Sequence, residues 1–225
     1  MKRMAILAIL ALTLTTCDDS GGGNGGGEDT TPPQDTIAGD EDTKTPPTDT
    51  VKGEDTIPVD TFIPEPPDYP APPYGKTTGT IIEDHSFLIP TDNTIVKLSD
   101  YYQHETKKVL LINASAGWCG ACKQEAGELN NTLAEFGPRG FDILYTLFED
   151  WNGGSPTQDF YEGWMDQYGG DYTTVLDTNF EMGVYFNVEA TPMNMLVDLG
   201  TMEIVWLETG LNPFALAGKL DELLP

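Results

Sequence analysis

The chain has 225 residues, enough for one domain and its appendages, and carries 37 acidic residues against 11 basic ones, a net charge of −26. That balance excludes nucleic-acid binding as a function, because a phosphate backbone needs Lys and Arg partners. Three cysteines are too few for a disulfide-stapled scaffold and fit one working pair plus one with a separate task.

Met1-Lys-Arg3 is a short positive start, followed by eleven residues, Met4 to Leu14, that are apolar except for Thr13. This run is too short to span a bilayer and fits the core of a secretory signal peptide over residues 1–16. Leu14-Thr15-Thr16-Cys17 follows, and resembles the lipobox of bacterial lipoproteins, in which the cysteine is lipidated and becomes the mature N-terminus. The resemblance implies acyl chains on Cys17, enough for stable anchoring to a membrane. Thr16 departs from the small residue usual before that cysteine. Residues 17–73 hold a glycine run, eleven prolines, and fourteen acids against two lysines, with few large apolar side chains. Such a segment cannot bury enough surface to offset its conformational entropy, and reads as a spacer between the anchor and a domain over residues 74–225.

Within that domain, Thr80 to Ile82 and Ile95 to Leu98 suggest short strands, and Ser99 to Tyr102 a brief helical turn. Val109 to Asn113 reads as the first strong strand, its unbroken apolar run Val109 to Ile112 being the mark of a strand buried on both faces. Small residues and Gly117-Trp118-Cys119-Gly-Ala-Cys122 come next. From Cys122 the apolar positions Ala126, Leu129, Leu133 and Phe136 follow at steps of four, three, four and three, one stripe of a helix that Gly137-Pro138 ends. Cys119 therefore stands at a helix N-terminus directly after a central strand. The orphan N–H groups and the positive end of the helix favour a thiolate there, which makes Cys119 an accessible attacking thiol and Cys122, one turn in, a shielded resolving thiol. The two cysteines could be half of a zinc site, but beyond them the chain offers only Cys17, His85 and His104 and no second ligand pair.

Phe141 to Phe148 reads as the second strong strand. Ser155-Pro156-Thr157-Gln158 suggests an N-cap, a first-turn proline and a capping-box glutamine ahead of a helix with Phe160, Trp164, Met165 and Tyr168 on one stripe. Thr173 to Leu176 is a brief strand, and Asp177 is placed to cap a helix running to about Phe186. Met193 to Val197 and Glu203 to Leu207 form a hairpin, and Asn212-Pro213 opens the last helix.

This order, with Trp118-Cys119-x-x-Cys122 at the first helix and Thr191-Pro192 before the hairpin, resembles the thioredoxin fold, and within it the TlpA/ResA-like thiol-disulfide oxidoreductases of the bacterial periplasm. Asn113 is the residue that group commonly carries where cytosolic thioredoxins have a buried Asp. Lys123-Gln-Glu125 resembles the segment whose acidic residue lies near the active site, and Tyr185 to Pro192 the approach to a cis-proline. The resemblance implies an α/β fold with a central mixed sheet flanked by helices, an N-terminal extension and one inserted helix and strand. It implies catalysis by Cys119, Cys122 and Glu125 through a reversible Cys119–Cys122 disulfide, with substrate held by Trp118, Thr191 and Pro192 and with no metal or organic cofactor. Expected partners are protein dithiols or disulfides and a membrane or periplasmic thiol redox partner, the protein itself being a monomer tethered to a membrane and facing the periplasm or the cell surface. Ala121 between the cysteines, Gly127, and Ala114-Ser115 depart from the family pattern. Two other readings share the fold. A peroxide-reducing redoxin would want an Arg near the cysteine, and the domain holds only Arg139. A Sco-type copper carrier would want a wider cysteine spacing and a His after it, whereas His85 and His104 both precede the pair.

Overall fold

A computed structural model describes residues 68–225. The expected signal peptide, the lipidation site Cys17 and the spacer through residue 67 lie outside the described residues. The strands are β1 (Ser86–Ile89), β2 (Thr94–Lys97), β3 (Val109–Ala116), β4 (Phe141–Glu149), β5 (Thr173–Leu176), β6 (Met193–Asp198) and β7 (Glu203–Thr209). The helices are α1 (Gly120–Phe136), α2 (Gln158–Tyr168) and α3 (Pro213–Leu223). All seven strands form one sheet in the order β2-β1-β5-β4-β3-β6-β7. The centre, β5-β4-β3, is parallel, and the antiparallel pairs β1/β2 and β6/β7 close its two sides. This is the mixed, helix-flanked thioredoxin-like sheet expected from the sequence.

Every residue of β3 is buried, the apolar run Val109 to Ile112 as expected of a central strand and the polar Asn113 and Ser115 with it. The β3-α1-β4 and β4-α2-β5 crossovers run the same way along the sheet, and right-handed crossovers then put α1 and α2 on one face. There α1 touches both α2 and α3. Segment 180–186 packs against Phe148, which alternation along β4 turns to the other face.

Four details differ from the sequence reading. Thr80 to Ile82 contributes only a single bridge, Ile81 to Glu203, and the hairpin partner of β2 is Ser86–Ile89, in which one exposed, one buried and two half-buried residues carry little alternation. The N-cap of α2 is Thr157, whose hydroxyl accepts from Phe160 N at 3.3 Å, so Ser155 and the buried Pro156 precede the helix. Asp177 does cap backbone, accepting from Glu181 N at 2.7 Å and Met182 N at 2.9 Å, but the helix is only one 3-10 turn, Glu181–Val184. Phe180 at φ 54° stands between cap and turn, a left-handed conformation that breaks helical continuity. The chain also packs on the domain before Tyr74. The Tyr69 hydroxyl donates to Ile82 O at 2.8 Å, and its ring meets Tyr74 and Tyr102 edge-on at 6.3 and 5.9 Å.

Candidate active site

The site forms where β3 ends. Gly117 N donates to Glu149 O at 2.9 Å and Cys119 N to Ala116 O at 3.1 Å, which turns the chain from strand to helix within three residues. Gly117 has no room for a side chain: a Cβ there would stand 2.6 Å from Phe160 Cε2 and 2.7 Å from the backbone of Asp150. The next residue, Trp118, is 43% exposed, and its indole N–H donates to Glu149 Oε2 at 2.6 Å.

Cys119 is the N-cap of α1 and is disulfide-bonded to Cys122, with their Cα atoms 5.3 Å apart. Cys119 Sγ accepts from Cys122 N at 3.1 Å, so one orphan donor of the helix terminus points at the sulfur. Cys119, expected to be accessible, is more covered than the sequence suggested. Cys122 is fully buried and Cys119 is 4% exposed, because Cys119 Sγ lies 3.9 Å from the carbonyl oxygen of Thr191. The Thr191–Pro192 peptide is cis. Its loop is pinned to the sheet by Thr191 Oγ1, which donates to Ala114 O at 3.2 Å, and by Pro192 O, which accepts from Gly210 N at 2.7 Å. The structure thus brings together five of the predicted residues, Trp118, Cys119, Cys122, Thr191 and Pro192.

The sixth, Glu125, lies one turn along α1 from Cys122 and is buried. Its carboxylate accepts from Asn113 Nδ2 at 2.7 Å and from Asn194 Nδ2 at 2.8 Å. Burial pushes the carboxyl up to about 7, against the two amide hydrogen bonds, which pull it down. Two tyrosines stand close by with their protons committed. Tyr145 donates to Cys122 O and Tyr172 to Ala126 O, each at 3.2 Å, and burial raises both phenols, so they stay neutral at ordinary pH.

Asn194 and Glu149, also around the site, have no motif of their own in the sequence, and Ser115 stood out there only as part of a departure from the family pattern. The one available signal was a polar residue inside an otherwise apolar run, as Asn194 is in β6. Two histidines and the domain's arginine lie elsewhere. His85 pairs with Glu181 at 3.1 Å and with the Tyr185 hydroxyl at 2.8 Å, His104 accepts backbone N–H groups of Thr106 and Lys107, and Arg139 binds Asp221 and Leu224 O.

Comparison with solved structures places the fold. A Chlorobium tepidum protein described as a thiol:disulfide interchange protein, DsbE, shares 22% identity at a TM-score of 0.56, over 67% of this chain and 100% of that one. A thiol:disulfide interchange protein from Bacteroides sp. shares 18% at 0.53, over 66% and 90%. The exposed lipoprotein thioredoxin of Streptococcus pneumoniae shares 19% at 0.51, over 63% and 100%. No curated protein matches the chain. The redoxin family model matches residues 70–213, a span that takes in the disulfide, Glu125 and the Thr191–Pro192 loop. With well over half of its length inside that match, the chain belongs to the redoxin family.

Proposed function

We propose that this protein is a thiol-disulfide oxidoreductase acting on protein disulfides at the cell envelope. The observation that carries the reading is the Cys119–Cys122 disulfide at the N-cap of α1, held between the exposed Trp118 and the Thr191 carbonyl. In the reduced protein the Cys119 thiolate attacks one sulfur of a substrate disulfide. A Cys119–substrate disulfide forms and the other substrate sulfur leaves as a thiolate. Cys122 then gives its proton to the Glu125 carboxylate and attacks Cys119 Sγ. The second substrate thiolate departs, and two electrons have passed from the cysteine pair to the substrate. The oxidised end state of that cycle is the one described above. Trp118 and the Thr191–Pro192 backbone are the surfaces against which a substrate chain lies.

Glu125 is assigned the proton because it is a buried carboxyl one turn from Cys122, whereas Tyr145 and Tyr172 have their O–H groups engaged. Among the described residues, the peroxide-reducing alternative finds Arg139 engaged with Asp221 rather than with the sulfurs, and the copper-carrier alternative finds His85 and His104 engaged with Glu181 and with backbone N–H groups.

The roles are tested by trapping. Cys122→Ser should accumulate mixed disulfides with protein substrates, and Cys119→Ser should accumulate none. Trapping by the Cys119→Ser protein instead would reverse the assignment, and failure of the reduced protein to open any protein disulfide would end it.

The same proposal includes an export signal over residues 1–16, a lipid on Cys17 and a spacer lifting the domain from the membrane. Its support is the apolar run before Cys17 and the composition of residues 17–73, and the pneumococcal neighbour named an exposed lipoprotein accords with it. Cys17→Ser should move the protein from the membrane fraction to the soluble fraction. Equal membrane retention would refute the anchor.

A further inference from the structure

Glu125 is held by residues that the redox chemistry just described does not use. Asn113 of β3 and Asn194 of β6 are direct cross-strand partners, so their side chains leave the sheet together on the face that α1 covers. Asn113 Nδ2 donates to Glu125 Oε2 and, at 2.9 Å, to Asn194 Oδ1. Asn194 Nδ2 donates to the other carboxylate oxygen. Ser115, two residues along β3 and so on the same face, donates its hydroxyl to Asn113 Oδ1 at 2.7 Å. All four side chains are buried.

Both carboxylate oxygens therefore have an amide donor, both amide oxygens an N–H or O–H donor, and each member fixes the orientation of the next. None of the three supporting residues titrates, so the clamp keeps its form while thiols and carboxyl exchange protons. The titratable groups facing Glu125 are few. Tyr145 of β4 and Tyr172, just before β5, face it from neighbouring elements, Glu128 and the cysteines from its own helix, and only asparagines from β3 and β6. Asn194 lies two residues past Pro192 and ties this buried network to the strand that carries the cis-proline loop.

We propose that Asn194, backed by Asn113 and Ser115, is a positioning residue that holds the Glu125 carboxylate where it exchanges a proton with the Cys122 thiol. The inference rests on reading Cys119 and Cys122 as a redox pair. Its test follows the resolving step alone. A chromogenic aryl thiol is loaded on Cys119 of the full-length protein as a mixed disulfide, and its release by Cys122 is timed against pH. Release should rise with pH through an inflection that Glu125→Gln abolishes. Asn194→Leu, close in size but without donors, should move that inflection upward by about one pH unit, the shift expected when a carboxylate loses one amide donor. Added to Glu125→Gln, it should change nothing further. An unmoved inflection, or slowing that is equal at every pH and persists in the Glu125→Gln background, would overturn the proposal. Should Asn194→Leu not fold, Ser115→Ala decides. A smaller upward shift that depends on Glu125 supports the clamp, and its absence refutes it. Because release is intramolecular, it remains readable even if the protein reduces no protein disulfide, so failure of the functional reading and failure of the clamp are separate results.

Discussion

Cys119 and Cys122 share one helical turn and differ in almost every physical respect. The first caps the helix beneath a carbonyl from the Thr191–Pro192 loop, and the second is sealed inside. Glu125 extends the contrast, since it is a carboxyl that the fold keeps from water. Its ordinary value is 4.5 and its value here about 7, so between those limits the folded protein binds a proton that the unfolded chain releases. The unfolded state then has fewer bound protons, and stability falls as pH rises through that window. The oxidised protein should therefore lose stability from about pH 5 to about pH 8 by an amount on the order of 3 kcal/mol that Glu125→Gln does not lose. Thermal midpoints of the two proteins across that range check it, the slope rather than the absolute midpoint being decisive. Parallel slopes would show that the carboxyl titrates as an exposed one does. The cysteines were legible in the sequence because their spacing and helix position carry chemistry by themselves. Glu125 was legible through family likeness, but its burial was not, since one carboxylate among many on an acidic chain gives no sign of facing inward. Asn194 was illegible because its partner Asn113 lies 81 residues away and meets it only through strand register.

At the scale of elements, the junction between β3 and α1 is the tightest point of the site. The strand, the loop after β4 and the start of α2 converge on Gly117, and the space a methyl group would take is filled by Phe160 and the backbone of Asp150 and Trp151. Asp150 makes that loop stiff, because its carboxylate accepts from Asn152 N at 2.8 Å and Gly154 N at 2.9 Å, which also holds it below the usual carboxylate range. Gly117→Ala should cost about 1–3 kcal/mol, as overpacking does. It should also push the loop away from Trp118, which chemical denaturation and the rate of disulfide exchange would both register. Unchanged stability would mean that the loop yields freely. Helix positions were largely readable from stripes and breakers. The 3-10 turn at Glu181–Val184 was not, because Asp177 is a sound cap and only the left-handed backbone at Phe180 prevents a longer helix. β1 escaped notice because a four-residue strand that buries only Phe87 lacks a clean period.

Taken as a whole molecule, the domain is a sheet closed on one side by the β6/β7 pair and on the other by β1/β2, with the extension before β1 lying on it. Tyr69 is the outermost anchor of that extension. A chain beginning at Tyr74 should still fold, since β1 to β7 are intact, but should be less stable than one beginning at Asp68 by about 1–3 kcal/mol, chiefly from the lost Tyr69 hydrogen bond to Ile82 O and the Tyr102 ring contact, the exposed Tyr74 bond to Pro70 O counting for less. Comparison of their unfolding midpoints tests this, and equal midpoints would make Tyr69 a passive neighbour. Composition showed that the domain is strongly acidic, with 23 acids against 7 bases from Tyr74 onward, and partners carrying positive charge should therefore associate faster at low salt.

The hydrogen bond between Trp118 and Glu149 has an optical consequence. It fixes an indole in the residue next to the disulfide, while Trp164 is wholly buried in a stack with Tyr145 and Trp151. A disulfide quenches an excited indole by accepting its electron, and a dithiol does so far less. The protein should therefore brighten on reduction, with Trp118→Phe removing most of the change, so that its emission acts as a built-in gauge of its own redox state. Emission that stays level through a full reduction would mean that the indole and the sulfurs are not in electronic contact.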